Sequence, residues 1–193
     1  RYSIFEKIHP FNQPLDNWDV SNVTNMREMF QGAGAFNQNI NSWDVSNVTD
    51  MRNMFVYCGQ FNQPLNNWDV SNVTTMREMF LLAEAFNQDI SNWDVSSVED
   101  MSGMFNNAFA FNQDISSWDV SAVSDGNFLD MFKGSAALRN GLGFVPISNK
   151  AKLQEMVGEW IDDEIKAETD YGPIGVWDTS LIKDMSWLFA LGE

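Results

Sequence analysis

The sequence predicts a repeat solenoid: short parallel β-strands with irregular or 3₁₀ returns, stacked coil on coil, plus one α-helix as a cap or spacer. Three observations predict it. The block NWDVSNVTNMREMF at 17–30 returns as SWDVSNVTDMRNMF at 42–55 and as NWDVSNVTTMREMF at 67–80, a step of 25 residues. A period of this length marks units that cannot bury an apolar side alone and must stack. The tryptophans Trp18, Trp43, Trp68, Trp93 and Trp118 hold the same step. The 193-residue chain is 44% hydrophobic and 13% aromatic, enough apolar material for a packed core.

The elements follow in order. Residues 1–10 read as a lead-in loop, and 11–135 as a five-coil array. Phe11, Phe36, Phe61, Phe86 and Phe111 form one column, and two valine columns begin at Val20 and Val23. Methionines run from Met26 to Met101, and Met29-Phe30 recurs to Met131-Phe132 after a two-residue insertion in SDGNFLDMF. Within a coil, L-x-x-W-x-V alternates as a short strand does, with Trp18 and Val20 inward and Asp19 and Ser21 outward. The every-third apolar spacing that follows suits a 3₁₀-like or irregular return. This is a leucine-rich-repeat-like pattern with bulky substitutes, and the tryptophan column is its structural core ladder.

Residues 136–176 leave the period. A loop leads to SNKAKLQEMVGEWIDDEIKAE, in which Ser148 or Asn149 can N-cap a helix with Leu153, Met156, Val157, Trp160, Ile161 and Ile165 on its apolar face. Residues 177–193 start a further coil at Trp177. WDTSLIKDMSWLF is half a coil, and FNQPL at 11–15 is how a coil continues. The expectation is therefore a unit that joins its own kind head to tail or in tandem, covering strand edges and building a fibre.

WDVSNVTNMREMF, FNQDISNWDVSSVEDMSGMF and WDTSLIKDMSWLF closely resemble the repeats of BspA-like leucine-rich-repeat surface proteins, which are widespread in mycoplasma lipoproteins. The resemblance covers residues 11–135 and 177–189. It implies an extracellular or cell-surface, non-enzymatic repeat protein with a structural or adhesive role.

The formal charge of −16 makes nucleic acid and anionic membranes poor partners, and leaves cations, basic proteins and neutral glycans open. No apolar run approaches a membrane span, so direct membrane insertion of this segment is not expected. The single cysteine, Cys58, excludes an intrachain disulfide, and His9 is the one histidine. There is no G-x-S-x-G, Walker-type loop or dinucleotide fingerprint, so neither catalytic residues, nor a metal, nor a cofactor is expected. Cys58 shares a column with Ala33, Ala83 and Ala108 and reads as a small core residue.

The candidate site is a ladder of outward carboxylates: Asp19, Asp44, Asp69, Asp94, Asp119 and, in the restarted coil, Asp178. Like charges on neighbouring coils must be compensated. Local hydrogen bonds of the Asx-turn type to the serine two residues on would do so. A row of cations or a basic partner would also serve, and a glycan-binding face is the third reading. A protein or glycan ligand on this acidic face is the alternative to the structural role. The Asn12, Asn37, Asn62, Asn87 and Asn112 column reads as an amide ladder, and Arg27, Arg52 and Arg77 as solvated ion pairs. SNVT supplies N-glycosylation sequons at Asn22, Asn47 and Asn72. An ice- or mineral-binding surface lacks its threonine array, since Thr24, Thr49 and Thr74 give way to Glu99 and Ser124.

Overall fold

Every-third apolar spacing turns out to be a signature of successive β-turns. In the second coil the amides of Trp43, Val48, Met54, Cys58 and Phe61 donate to the carbonyls of Ile40, Val45, Met51, Phe55 and Cys58. Each turn thus begins and ends on an apolar residue, which places both its first and its fourth side chain toward the core. The computed structural model describes residues 10–128, 130–139, 145–146, 150–171 and 177–178.

The expected strands do not form. Among the described residues of 10–139 there is no β-strand, only single parallel bridges joining Asn25 to Asp50, Asp50 to Thr75 and Thr75 to Asp100. The leucine-rich-repeat-like class, built on short parallel strands, is therefore corrected to a stack of coils made of turns. The cause is local. The Trp18 amide closes back on Leu15 and that of Val23 on Val20, so L-x-x-W-x-V is folded rather than extended. Nor are the returns 3₁₀ helices: among the described residues one such helix occurs, Asp125–Phe128, at the insertion of the fifth coil.

Coils are joined through the M-R-E-M-F segment instead. The amides of Met26, Glu28, Phe30 and Gly32 donate to the carbonyls of Asp50, Arg52, Met54 and Val56 at 2.8–2.9 Å. Those of Met29, Gln31 and Ala33 close turns within the coil. Amides therefore alternate between their own coil and the next. The alternation needs left-handed backbone at two columns: Glu28, Asn53, Glu78, Gly103 and Asp130 in one, Gly32, Tyr57, Leu82, Asn107 and Gly134 in the other. At Gly134, with φ 76°, an added Cβ would also sit 2.5 Å from Asn107 Oδ1, so glycine is required there twice over.

The core is a set of stacked columns. Rings of Phe30, Phe55, Phe80, Phe105 and Phe132 lie 5.4–5.7 Å apart along the stack, and those of Phe36, Phe61, Phe86 and Phe111 lie 5.8–6.0 Å apart. Within a coil the two columns meet at 3.9–4.3 Å. Burying each such ring contributes about 1.5–3 kcal/mol. Trp43, Trp68, Trp93 and Trp118 are buried, and each indole N–H donates to a carbonyl of the preceding coil: Leu15, Ile40, Leu65 and Ile90. Trp18 departs from the expected core ladder. It is 55% exposed, because no described coil covers it.

Beyond the array, α1 (Ala136–Arg139), α2 (Lys150–Asp162) and α3 (Glu164–Tyr171) follow. The expected single helix is two. Asp163 ends α2 by donating its amide to Glu159, and its carboxylate accepts the Lys166 amide as the N-cap of α3. Leu153, Met156, Val157 and, on α3, Ala167 are buried. The break leaves Ile161 and Ile165, both expected on the apolar face, 62% and 81% exposed. Both α1 and α2 pack on α3. The residues Ser148 and Asn149, offered as the helix cap, lie outside the described residues. Trp177–Asp178 (β2) pairs in parallel with Val145–Pro146 (β1), two residues each.

Candidate functional site

The carboxylate column sits where the chain leaves the tryptophan and enters the next turn, with Asp19, Asp44, Asp69, Asp94 and Asp119 all exposed. In each of the first four, one oxygen, Oδ1, accepts both the amide and the hydroxyl of the serine two residues on. The distances are 3.0–3.1 Å and 2.6 Å, to Ser21, Ser46, Ser71 and Ser96. Asp119 accepts the Ser121 amide at 3.0 Å. This is the Asx turn, and it answers how a row of like charges is tolerated: each of these five carboxylates is compensated within its own coil. The serine hydroxyl and amide hold Asp19, Asp44, Asp94 and Asp119 below the ordinary carboxylate value. The neighbouring carboxylates push the other way on Asp44 and Asp94, more weakly than the serine bonds. Asp178 belongs to β2, and its side chain lies outside the described residues.

The sequon asparagines play a part in holding the stack. Asn47 Nδ2 donates to the Ser21 carbonyl and Asn72 Nδ2 to the Ser46 carbonyl, both at 2.8 Å. Glycosylation of either would have to fit a sugar on the same nitrogen that makes this bond between coils. Asn22 is exposed, with no described coil before it. A second amide ladder runs along the Asn12 column. Asn37, Asn62, Asn87 and Asn112 donate their main-chain N–H to the side-chain oxygen of the asparagine one coil earlier, at 2.8–3.0 Å. Gln38, Gln63, Gln88 and Gln113 reach the same oxygens.

The arginine column forms local pairs: Arg27 with Glu28, Arg52 with Asp50 and Arg77 with Glu78. Asp50 is the one that sequence reasoning undervalued. It is 8% exposed, and Arg52, bonding at 2.6 Å, holds its carboxyl below the ordinary value despite burial. Its signal was the change from Asn25 to Asp50 beside an arginine. Cys58 is fully buried, its thiol donates to the Phe30 carbonyl, and burial pushes it up to about 12, so it is no nucleophile at neutral pH. Among the described residues no group of His, Cys, Asp and Glu is placed to hold a metal ion. No helix of the described residues is long and apolar enough to cross a membrane.

Fold and site together define a class: a repeat protein whose coils are made of turns and whose outer face carries polar groups in columns. The model of the family described as "Mycoplasma protein of unknown function, DUF285" matches residues 2–80 and 58–162. The chain belongs to that family. Its two matches overlap at 58–80, as a repeating pattern allows. No curated protein and no solved structure matches the chain. The narrower likeness to BspA-like leucine-rich-repeat proteins is not what the family match carries, and the missing strands remove its leucine-rich-repeat component.

Proposed function

We propose that this chain is a non-enzymatic repeat element of an extracellular or cell-surface protein, with a structural or adhesive role. Its mechanism is display: a stiff stack of coils presents the same polar groups at one-coil intervals. The observation that carries this reading is the Asx-turn column, in which each carboxylate is satisfied locally and no coil is singled out for chemistry. The bonding between coils supports assembly with further copies, head to tail or in tandem, because a coil of another chain can offer the same main-chain groups. Brief protease treatment of intact cells tests the placement: loss of the chain with cytoplasmic markers spared is expected, and full protection refutes it. Electron microscopy and light scattering test the assembly, which monodisperse monomers at every concentration would rule out.

A second reading has one observation in its favour. In Asp19, Asp44, Asp69 and Asp94 both serine bonds fall on Oδ1, which leaves Oδ2 uncommitted and outward. A basic protein segment could read that row of oxygens by charge-assisted bonds. Its binding would fall steeply with salt, whereas salt-independent binding would exclude this face.

A further inference from the structure

One place on the stack breaks the repeat. An open groove of about 500 Å³ spans the first three coils, lined by Pro14 and Asp16, then Gln38, Asn39, Asn41 and Ser42, then Asn67. Its volume falls in the range of small-molecule sites, but its polar lining is unlike the apolar walls those usually have.

Two of its polar groups, Asp16 and Asn67, are also uncommitted where equivalent groups further along the stack are bonded. Asp16 holds a column that continues as Asn41, Asn66, Ser91 and Ser116. It cannot make the Asx turn of the other coil aspartates, because the residue two on is Trp18, whose amide closes on Leu15 instead. Among the coil aspartates with described side chains, Asp16 is the one that accepts no hydrogen bond or ion pair. Further along the stack, Asn92 Nδ2 closes on the Asn66 carbonyl at 2.7 Å and Ser117 on that of Ser91. Asn67, in the same column, makes no such bond. The Asn41 side chain has turned to bridge coils two and three, donating to Asn66 Oδ1 at 3.1 Å and accepting the Asn67 amide at 3.0 Å. Asn39 spends its oxygen on the Asn41 amide, leaving its NH₂ free. Gln38 spends its NH₂ on Asn12, leaving its oxygen free.

We infer that this groove is a binding site for the end of a neutral oligosaccharide. A carboxylate with both oxygens open accepts two adjacent sugar hydroxyls through charge-assisted bonds. The Asn39 NH₂, the Asn67 side chain, the Gln38 oxygen and the Ser42 hydroxyl supply donors and acceptors in turn, as a polyhydroxylated ligand requires. With no cation in the lining and −16 on the chain, phosphate, sulfate or sialic acid would be repelled. A calcium ion wants six to eight oxygens, roughly, with several carboxylates among them, and Asp16 is alone. The site goes beyond the display role and does not depend on it: none of the repeated carboxylates lines the groove.

The test is an array of neutral oligosaccharides ending in glucose, galactose, mannose or N-acetylglucosamine, with sialylated counterparts, probed with the whole chain. The best binder is then titrated calorimetrically against Asp16→Asn, Asn67→Ala and, as control, Asp94→Asn. Neutral glycans should bind, and Asp16→Asn should weaken them about tenfold or more, the effect of losing a charged hydrogen-bond acceptor. Asp94→Asn should bind as the parent does, and Asp16→Asn should melt with the parent, since it breaks no internal bond. No binding of any neutral glycan at millimolar concentration, undiminished binding by both groove variants, or a preference for sialylated glycans overturns the proposal. Loss in Asp94→Asn with Asp16→Asn intact would move the ligand to the carboxylate column and overturn this placement.

Discussion

Removing the Trp68 side chain, in the middle coil, tests whether the indole column holds the stack. Trp68 is 3% exposed, with rings of Trp93 at 6.5 Å and Phe55 at 6.4 Å. Its Nε1 donates to the Ile40 carbonyl at 3.0 Å. Trp68→Ala leaves a cavity between neighbours that are themselves fixed by main-chain bonds and cannot collapse, so about 3–5 kcal/mol is lost. Trp68→Phe separates packing from hydrogen bonding. The Ile40 carbonyl still accepts the Trp43 amide, so no buried group is orphaned. The cost falls to one hydrogen bond of about 1 kcal/mol plus the smaller ring, about 2 kcal/mol in all. Trp18→Ala, at the exposed end of the column, should cost under about 1 kcal/mol. Urea unfolding followed by circular dichroism reads all three, since fluorescence would itself be altered. Equal losses for Trp68→Ala and Trp18→Ala would refute the stacking argument, and a Trp68→Phe loss as large as Trp68→Ala would show that the hydrogen bond, not the cavity, dominates.

Asn53 adopts φ 59° and its Oδ1 is buried without a partner. Asn53→Gly should therefore raise stability by about 1 kcal/mol, measured by the urea midpoint, because the orphaned oxygen outweighs the added chain entropy. Asp19, Asp44, Asp94 and Asp119 are held below their ordinary value of 3.8. Their contribution is thus complete above that pH and is lost as pH falls through the lowered values, so melting temperature should be level near neutrality and drop below about pH 4. Cys58, pushed up from 9.0 to about 12, should resist thiol reagents in the native state at pH 8 and react on unfolding. Calcium should leave the melting temperature unchanged, and a chelator-reversible rise would restore the cation-row reading of the aspartate column.

The stacking of coils was legible because columns of Trp, Val, Met and Phe at a constant step leave no other economical burial. The Asx turns were legible from Asp-x-Ser, a spacing with one favourable local use. The backbone was not, because the same L-x-x-W-x-V serves a strand or a pair of turns, and side-chain period alone does not separate them. The deciding signal is the pair of left-handed columns. Glycine marks them at Gly32, Gly103 and Gly134, but Glu28, Tyr57, Glu78 and Leu82 occupy equivalent places and mask the pattern. The break at Asp163 was hidden for a similar reason, since an acidic residue inside a helical pattern and an N-cap look alike in sequence. The groove around Asp16 could have been found from its column, which is neutral in the other coils at Asn41, Asn66, Ser91 and Ser116 and here holds an aspartate with no serine two residues later.

The bonds between coils leave the stack with almost no backbone dipole along its axis. Between each pair of the first four coils, four main-chain N–H groups point toward the C-terminal neighbour, as from Met51, Asn53, Phe55 and Tyr57, while three or four point back, as from Asn62, Asn67, Thr74 and Ala85. The peptide dipoles therefore nearly cancel, as they do in a sheet and unlike those of a helix. Any direction along the stack comes from side-chain charge instead. The arginine column stops at Arg77, and Asp89, Asp94, Glu99, Asp100, Asp114 and Asp119 accumulate beyond it. Two such stacks lying side by side would thus repel least when antiparallel, with the arginine-bearing coils of one beside the acidic coils of the other.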